Sequence, residues 1–240
     1  MPFRLPTKEE KANYVHDQFE HIAHGYDLTN DAISLGMHHF WKKKAIDALS
    51  ISSAGKYLDV CCGTGDLSLA IAKRLGQNGS ITGIDFSLKM LDVAYKREQK
   101  QNVDTSIDWI KGDATKLPFA DNQFDGAIIS FGLRNLSDLQ LGLNEMARVV
   151  KPGGHVVNLD LGHSDVPLFA PIFRFYFRHI VPWIGAILQK DRSAYTYLPE
   201  SLNTYPKPAG ITQLFERAGL KYIRYIPLAL GSVALHIGTK

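Results

Sequence analysis

The sequence predicts an α/β fold with a mainly parallel sheet of seven strands, helices on both faces and an antiparallel hairpin at its C-terminal end. Three observations indicate this fold. Short apolar runs alternate with helical stretches from Lys56 onward, which implies right-handed crossovers between parallel strands. A glycine turn, Gly63 to Gly65, joins the first apolar run to the first of these helices. The last two apolar runs lie close enough in the chain to pair antiparallel.

The elements follow one another in a regular order. Glu9 to Leu49 carries apolar residues at helical spacing, which predicts a helical segment over residues 1–50 that covers the functional site. Residues 51–240 form the rest of a single domain, with an apolar helical insertion at about 165–205. Ser87 follows the second strand and predicts the cap of the next helix. The predicted strands are 57–61, 80–84, 105–110, 126–131, 155–161, 221–226 and 232–238, and the predicted helices are 67–75, 87–96, 138–150 and 211–218.

Composition excludes several classes of protein. The 240 residues are 45% apolar and 21% charged, which is typical of a globular protein. A net charge of +3 and the lack of long basic runs argue against a nucleic-acid partner. Cys61 and Cys62 are neighbours about 3.8 Å apart, so a disulfide between them would be strained, and two adjacent cysteines make a poor metal site. With no apolar core of signal-peptide length near Met1, we expect a cytoplasmic protein without a metal.

The segment from Val166 to Lys190 is apolar enough to raise the question of a membrane span. Arg174, Arg178 and the two internal prolines, Pro171 and Pro182, interrupt it. A spanning helix needs about 20 nearly uninterrupted apolar residues. We therefore expect this segment not to cross a membrane.

The glycine turn is the first candidate site, because ligands of such sheets bind outside the carboxyl ends of the strands. Gly63 and Gly65 permit a sharp turn and a close approach of a ligand to the backbone. They match only the first two glycines of the dinucleotide fingerprint, and no Walker lysine follows. A pyrophosphate would meet Asp66 within the first helical turn. The loop therefore favours a nucleoside-like ligand that is not anionic at its centre.

Further acids follow the next two strands. Asp85 ends the second strand, where an acid accepts both hydroxyls of a ribose. Asp113 follows the third strand and can accept from an adenine amino group, with the Ala114 amide facing a ring nitrogen. Together, an acid for the ribose, an acid for the adenine and a negatively charged pocket suit S-adenosylmethionine, because its sulfonium group carries a positive charge.

Structural alternatives stay open for each of these acids. Asp59 either contacts the ligand or only accepts backbone N–H bonds that fix the loop. Asp66 is an acid at a helix start, where the macrodipole favours it. Asp85 can cap the following helix, and Asp113 taken alone is a turn residue.

These residues resemble the class I S-adenosylmethionine-dependent methyltransferases, and more closely the C-methyltransferases of ubiquinone and menaquinone biosynthesis. The likeness runs from about Phe19 to the last residue. The segments that carry it are FEHIAHGYDLTNDAISLGMHHFWK (19–42), YLDVCCGTGDLSLA (57–70), GIDFSLKML (83–91), GDATKLPFADNQFD (112–125), ISFGLRNLSD (129–138), EMARVVKPGGH (145–155) and ALHIGTK (234–240). The FGLRN run and the Tyr26-Asp27…Asn30 segment are the most particular of these.

The resemblance implies a Rossmann-like class I methyltransferase that methylates a ring carbon of a reduced polyprenylated quinol, either a naphthoquinol or a benzoquinol. It implies S-adenosylmethionine as the donor. Asp113 departs from the family, whose members often have Asn there. The cofactor-binding residues it implies, with those shared by many methyltransferases, are Asp59, Gly63, Thr64, Gly65, Asp85, Asp113, Ala114 and Ser130.

For catalysis the sequence points to Arg134 and Asn135, which follow the fourth strand. A quinol carbon becomes nucleophilic when the ring hydroxyl loses its proton. Arg134 can stabilise the developing oxyanion or orient a water, and Asn135 can hold the ring by a hydrogen bond. The alternative for Arg134 is a salt bridge to Asp138 that pins the loop. Secondary candidates for the pocket lining are Tyr26, Tyr195, His163 and Asn203.

The apolar segment, residues 166–189, then has two possible roles. It can cradle a prenyl tail or rest on a membrane surface with Arg174 and Arg178 toward the headgroups, or it can be a buried covering helix or a homodimer contact. Two other functions also stay open. One is a class I methyltransferase for another small lipophilic acceptor, and the other is a non-catalytic, NAD-binding Rossmann module.

Overall fold

The computed structural model describes residues 5–101, 103, 105–189 and 192–240, with the side chains at 8 and 192–196 outside the description. The strands are β1 Lys56–Val60, β2 Ser80–Asp85, β3 Ile107–Lys111, β4 Phe124–Ser130, β5 Val150–Leu161, β6 Lys221–Leu228 and β7 Val233–Thr239. The helices are α1 Lys8–Ile22, α2 Tyr26–Ser34, α3 Met37–Ala48, α4 Asp66–Ala72, α5 Leu88–Lys100, α6 Leu139–Val149, α7 Phe169–Phe175, α8 Val181–Gln189, α9 Arg192–Thr204 and α10 Pro208–Arg217.

The seven strands form one sheet in the order β3-β2-β1-β4-β5-β7-β6. The first five strands are parallel, and β7 runs antiparallel to both β5 and β6. The predicted fold class is confirmed. The chain moves outward from β1 through β2 to β3 and then returns to β4, so the strand order reverses between β1 and β4. Ligands of open α/β sheets bind at this switch point.

Successive residues of the central strands pack into two different cores. Tyr57 and Ile128 belong to the apolar cluster on one face of the sheet, and Leu58 and Ile129 belong to the cluster on the other. Side chains alternate between the two faces of a strand, and helices cover both faces. The sequences of the central strands are therefore continuous apolar runs. This double burial holds the carboxyl ends of β1 and β4 in a rigid frame.

Two of the predicted helix starts, those of α5 and α6, are confirmed by their caps, whereas α10 begins at Pro208, three residues before its predicted start. The Ser87 hydroxyl accepts from the backbone N–H of Met90 at 3.2 Å, and the Asp138 carboxylate accepts from the N–H of Leu141 at 3.1 Å. Each bond satisfies a backbone donor that the first turn of a helix leaves without a partner. Asp138 therefore begins α6.

In the described residues before β1, the chain forms α1, α2 and α3, with a short 3-10 turn, Ala23–Gly25, between the first two. Helix α1 begins with a reciprocal cap between Thr7 and Glu10. Helix α2 ends at Leu35 and Gly36, which adopt left-handed backbone angles with φ of 51° and 73° and turn the chain into α3. Helices α7 to α9 lie between β5 and β6. Within the described part of the chain, no helix combines the length and hydropathy that crossing a bilayer requires.

Candidate active site

A cavity of about 170 Å³ lies at the switch point of the sheet. Residues after β1, β2, β3 and β4 line its floor, and α1 covers it through Val15 and Phe19. Of the residues predicted to bind a ligand or to act on it, those that line this cavity are Gly63, Asp85, Asp113, Ala114, Ser130 and Asn135. The topology therefore brings together residues from four separate strand ends.

Asp85 is the most buried acid of this cavity, with 5% of its surface exposed. Its Oδ2 accepts from the backbone N–H of Gly63 and its Oδ1 from that of Ser87, both at 2.9 Å. Burial raises the pKa of Asp85 to about 6, while hydrogen bonds from Ser87 and Gly63 oppose the rise. A carboxylate oxygen has two lone pairs, so each oxygen of Asp85 can still accept a hydrogen bond from a ligand hydroxyl.

Asp113 and Ala114 lie on the turn after β3. The Asp113 carboxylate accepts from both the N–H and the hydroxyl of Thr115 at 2.8 Å, so the turn role foreseen for it exists in the structure. Both Asp113 and Ala114 also line the cavity. The turn fixes the direction of the carboxylate and leaves acceptor capacity on it.

Two polar atoms of the cavity lining are buried without a partner in the described structure. They are the hydroxyl oxygen of Ser130 and Oδ1 of Asn135. Burying a polar atom without a hydrogen bond costs about 1–3 kcal/mol, so native proteins rarely leave one unmatched. Together with Asp85 and Asp113, these atoms offer acceptors that match the hydroxyl and amino donors of a nucleoside.

Asp59 does not line the cavity, in contrast to its predicted place among the ligand-binding residues. Its Oδ2 accepts from the hydroxyl of Ser68 at 2.7 Å, and 2% of the residue is exposed. Burial raises the pKa of Asp59 to about 7, against the effect of the Ser68 bond. The structure places this acid beneath the glycine turn, where it ties β1 to α4.

Thr64 and Gly65 also lie outside the cavity lining. The Thr64 hydroxyl donates to Asp27 at 2.6 Å and accepts from Arg97 at 3.1 Å. Gly65 has φ of 80°, and a Cβ on it would lie 2.5 Å from the ring of Trp109. These residues shape the loop that carries Gly63, and their contacts are with α2, α5 and β3.

Asp66 has two cationic partners that the sequence analysis missed. Lys42 of α3 lies 2.8 Å from one of its oxygens and Arg97 of α5 lies 2.6 Å from the other. Burial opposes ionisation, yet these cations hold the pKa of Asp66 well below its usual range. Asp66 lies in the first turn of α4, as its helix-start alternative foresaw, and the two cations offset its negative charge. Asp85 and Asp113 are the acids that line the cavity.

A second cavity, of about 110 Å³, adjoins the first and shares Tyr26 and Phe131 with it. Its wall is largely aromatic, with Phe173 of α7 and the following residues Tyr176 and Phe177 contributing from the inserted helices. The polar residues of its lining are Asn30, Ser34, His38, Lys42, Arg134 and Ser232. This composition suits a flat apolar ring that carries a few polar substituents.

Arg134 lines the second cavity, and its salt bridge is to Asp160 instead of the expected Asp138. Nη1 donates to Asp160 at 2.6 Å and to the carbonyl of Phe131 at 2.7 Å. Asp160 is fully buried on β5 and also accepts from the backbone N–H of Arg134 at 3.1 Å. Nε of Arg134 is buried and has no partner among the described residues. Nη1 therefore holds the guanidinium in place, and Nε has a hydrogen-bond donor that no described residue accepts.

The secondary candidates for the pocket lining also divide into residues that line a cavity and residues that have structural partners elsewhere. Tyr26 lines both cavities. His163 contacts the carbonyl of Tyr205 at 3.0 Å, and Asn203 donates to Glu200 at 3.1 Å, so both have structural partners. The side chain of Tyr195 lies outside the described residues. The sequence analysis missed Asp160 and His38, because only the packing of β5 and α3 shows that they approach the site.

The chain matches known proteins over nearly its whole length. The family model of the ubiE/COQ5 methyltransferase family matches residues 6–240. The chain is 43% identical over 230 residues to a demethylmenaquinone methyltransferase of Lysinibacillus sphaericus (strain C3-41), covering 96% of this chain and 97% of that one. It is also 43% identical over 232 residues to a demethylmenaquinone methyltransferase of Desulfitobacterium hafniense (strain Y51), covering 97% and 92%.

The fold is also found among solved structures. A SAM-dependent methyltransferase from Aquifex aeolicus superposes with a TM-score of 0.61 at 19% identity, covering 82% of this chain and 88% of that one. At this identity the likeness concerns the fold, and it agrees with the strand order and the switch-point cavity described above.

Proposed function

The chain belongs to the ubiE/COQ5 methyltransferase family, and from that premise we propose that it methylates a ring carbon of a reduced polyprenylated quinol, with demethylmenaquinol as the acceptor. The protein is an S-adenosylmethionine-dependent methyltransferase. The acceptor class is supported by the names of its relatives. The observation that carries the proposal is the pair of adjoining cavities, one lined by the acids Asp85 and Asp113 and the other rich in aromatic side chains, with Tyr26 and Phe131 common to both.

The first cavity fits the methyl donor. When bound, S-adenosylmethionine supplies a methyl group on a cationic sulfur. Asp85 would accept from the ribose hydroxyls, and Asp113 would accept from the adenine amino group beside the Ala114 amide. The unpartnered oxygen of Ser130 would find a donor there. Asp59, Thr64 and Gly65 would support the loop without touching the donor.

The second cavity would hold the quinol ring. A ring carbon attacks the methyl group only after the neighbouring hydroxyl has lost its proton, and phenols titrate near 10, so the site must stabilise the oxyanion. Arg134 is fixed in charge and position by the buried Asp160, and its unpartnered Nε is a donor for developing negative charge. Asn135, which lines the donor cavity next to it, would help to orient the ring.

The acceptor assignment can be tested with labelled donor and chemically reduced acceptors. The protein is incubated in turn with demethylmenaquinol, with 2-methoxy-6-polyprenyl-benzoquinol and with the oxidised quinones. We expect label in the reduced demethylmenaquinol and none in the oxidised forms. Transfer to a sterol or fatty acid but to no quinol would establish the alternative acceptor class. Stabilisation by NADH and not by S-adenosylhomocysteine in a thermal-shift assay would overturn the whole assignment.

The role of Arg134 needs a variant that keeps the buried charge pair. Arg134→Ala would leave Asp160 buried without a partner, which costs about 3–5 kcal/mol of stability and confuses the result. Arg134→Lys keeps the positive charge but loses the guanidinium fork. We expect turnover to fall about 10²–10³-fold, as for the loss of an oxyanion donor, with unchanged affinity for S-adenosylhomocysteine. Arg217→Lys, an exposed arginine at the end of α10, is the control, and equal turnover in the two variants would contradict the catalytic role.

We also propose that the inserted helices, residues 166–189, rest on a membrane surface. One face of this segment lines the second cavity through Phe173 and Phe177. The opposite face exposes large apolar side chains, namely Ile172, Phe175, Trp183 and Ile187 at 60–72%. An exposed apolar face continuous with an aromatic cavity suits an acceptor whose prenyl tail resides in a bilayer, and Arg174 and Arg178 would face anionic headgroups.

Vesicle flotation tests this contact. With vesicles of equal phosphatidylethanolamine and phosphatidylglycerol, we expect the protein to float and the double variant Ile172→Ser, Ile187→Ser to float several-fold less. Tyr222→Ser removes an 84% exposed aromatic on β6 and should float like the parent. A parent protein that stays unbound would contradict the proposal. A sedimentation mass of two chains that the double variant reduces to one would support the homodimer contact instead.

A further inference from the structure

His38 is a buried imidazole in the cavity that we assign to the acceptor. It lies on α3, 5% of its surface is exposed, and it lines the same cavity as Tyr26 and Arg134. Neither the family resemblance nor the relatives' names give it a role. The inference that follows rests on the proposed function, because it concerns the proton that the acceptor must lose.

The hydrogen bonds around Ser34 determine which ring nitrogen of His38 carries the proton. The Ser34 hydroxyl lies 2.7 Å from the carbonyl of Asn30 and 2.7 Å from Nδ1 of His38. When the single hydroxyl proton of Ser34 is donated to the carbonyl of Asn30, the Ser34 oxygen accepts from Nδ1 of His38. The Asp31 carboxylate lies 3.8 Å from Nδ1 and favours a proton on the same nitrogen. We therefore assign the imidazole proton to Nδ1. Nε2 keeps a free lone pair, and among the described residues it has no hydrogen-bond partner.

The surroundings keep this imidazole neutral. Burial lowers the pKa of His38 to about 4, and Lys42 and His39 act in the same direction against Asp31 and Asp66. At neutral pH the lone pair on Nε2 is therefore free. Because this imidazole is a weaker base than an exposed one, it takes up a proton as negative charge forms on the substrate oxygen beside it.

We propose that Nε2 of His38 is the general base that removes the hydroxyl proton of the quinol. The O–H electron pair stays on oxygen, where Arg134 stabilises it. The ring carbon next to that oxygen then forms the new bond to the methyl group as the carbon–sulfur bond of the donor breaks, with its electron pair going to sulfur. Loss of the ring proton from the methylated carbon to solvent restores the aromatic ring and returns the electron pair to oxygen. That oxygen then takes back the proton held on His38, so the base is regenerated and one proton is released in each turnover.

The test uses His38→Ala and His38→Gln with demethylmenaquinol and labelled donor. General base catalysis contributes about 10²–10⁴-fold, so we expect turnover to fall at least about 100-fold in both variants. The affinity for S-adenosylhomocysteine should stay unchanged, which shows that the variants are folded. In His38→Ala the side chain leaves space in the cavity, and added imidazole should restore at least about a tenth of the lost rate because it replaces the missing base.

His39→Ala is the matched control. His39 is exposed and bonded to Asp31 at 2.8 Å, and ligand atoms of Asp31, His38 and His39 lie within 4.8 Å of one another. If a metal on these three residues explained the effect, His39→Ala would lose as much activity as His38→Ala, and the general-base role would be overturned. We expect His39→Ala to keep at least about a tenth of the parental turnover, because the His39 ring lies 4.0 Å from that of His38 and its loss alters the surroundings of the base without removing it.

The outcomes separate this inference from the proposed function. A parent protein that methylates no quinol would refute the function itself. A parent that is active together with a His38→Gln variant of similar turnover would refute the role of His38 and leave the function standing. Loss of activity in His38→Ala without imidazole rescue, and with a lower melting temperature, would assign His38 a packing role instead.

Discussion

At the residue scale, burial and partners decide what each acid near the glycine turn does. Asp59 is buried beside one hydroxyl, and its pKa rises to about 7. Asp66 is buried between two cations, and its pKa falls. Asp85 is held by backbone N–H groups at the cavity wall, and its pKa rises to about 6. Three acids near one glycine turn therefore have pKa values shifted by different amounts and, for Asp66, in the opposite direction.

Asp85 makes donor binding depend on pH. Ribose hydroxyls would donate to the ionised carboxylate, so binding favours loss of the Asp85 proton. The pKa in the free protein is about 6, so affinity for S-adenosylhomocysteine should rise as pH increases from 5 to about 6.5 and then stay level. Titration calorimetry at several pH values measures this dependence.

Asp85→Asn should remove that dependence and weaken binding by about 10–100-fold, since a hydrogen bond to a charged group contributes about 1.5–3 kcal/mol. Asp108→Asn changes an exposed acid of β3 and should behave like the parent protein. An Asp85→Asn variant with the parental pH slope would show that another group sets the dependence.

At the scale of elements, two factors require glycine in the turn between β1 and α4: the left-handed backbone angle of Gly65 and the close packing of Trp109 against it. Gly65 and Gly219 have nearly equal φ, 80° and 81°. A Cβ at Gly65 would lie 2.5 Å from Trp109 and 3.0 Å from Ala94, whereas a Cβ at Gly219 would meet nothing within 4 Å. The pair therefore separates left-handed strain from steric overlap.

Both Gly65→Ala and Gly219→Ala should lose about 1–2 kcal/mol from the left-handed angle. Gly65→Ala should lose about 1–3 kcal/mol more, because the indole of Trp109 must move in a packed site. Urea unfolding of the two variants measures the difference. Equal losses would mean that the indole shifts without cost and that packing against β3 does not constrain the loop.

At the scale of the whole molecule, contacts between distant parts of the chain close the site. Glu20 of α1 accepts from the Ser87 hydroxyl at 2.8 Å and from the N–H of Lys89 at 3.2 Å. Lys11 donates to the carbonyl of Arg134 at 2.8 Å. The segment before β1 is thereby joined to the ends of β2 and β4. Because these bonds join α1 to the strand ends, the segment that covers the cavity and the sheet stabilise one another. The free energy of unfolding should therefore depend on groups buried beneath the site.

Asp59 provides a pH test of that global stability. Its folded pKa is raised, so it contributes stability below its unfolded pKa of about 4, and this contribution is lost as pH rises to about 7. Relative to Asp59→Asn, the parent protein should therefore lose about 2–3 kcal/mol of stability between pH 5 and pH 8, because each pH unit up to the folded pKa of about 7 contributes about 1.4 kcal/mol.

Urea unfolding of the parent protein and Asp59→Asn at both pH values checks this prediction. Burial lowers the pKa of His236 to about 4, which acts with the opposite sign but cancels in the comparison because both proteins contain it. A constant difference between the two proteins from pH 5 to pH 8 would mean that Asp59 titrates in its ordinary range.

Much of the fold could be predicted from the sequence, because the signals that specify it are local. Alternation of apolar residues, the glycine turn and the caps at Ser87 and Asp138 each lie within a few residues of the structure they specify. Asp85 and Asp113 could be predicted for the same reason, since a residue at the end of a parallel strand lies at the ligand edge of the sheet wherever its neighbours come from.

The sequence by itself thus determined the sheet, its switch point and the acids that line the first cavity. Only the tertiary structure decided that Asp66 pairs with Lys42 and Arg97, that Arg134 pairs with Asp160, and that His38 lines the second cavity. The physical reason is distance along the chain. Periodicity and capping act over a few residues, whereas these partners are 24, 31 and 26 residues apart and meet only because the sheet and helices pack around one site.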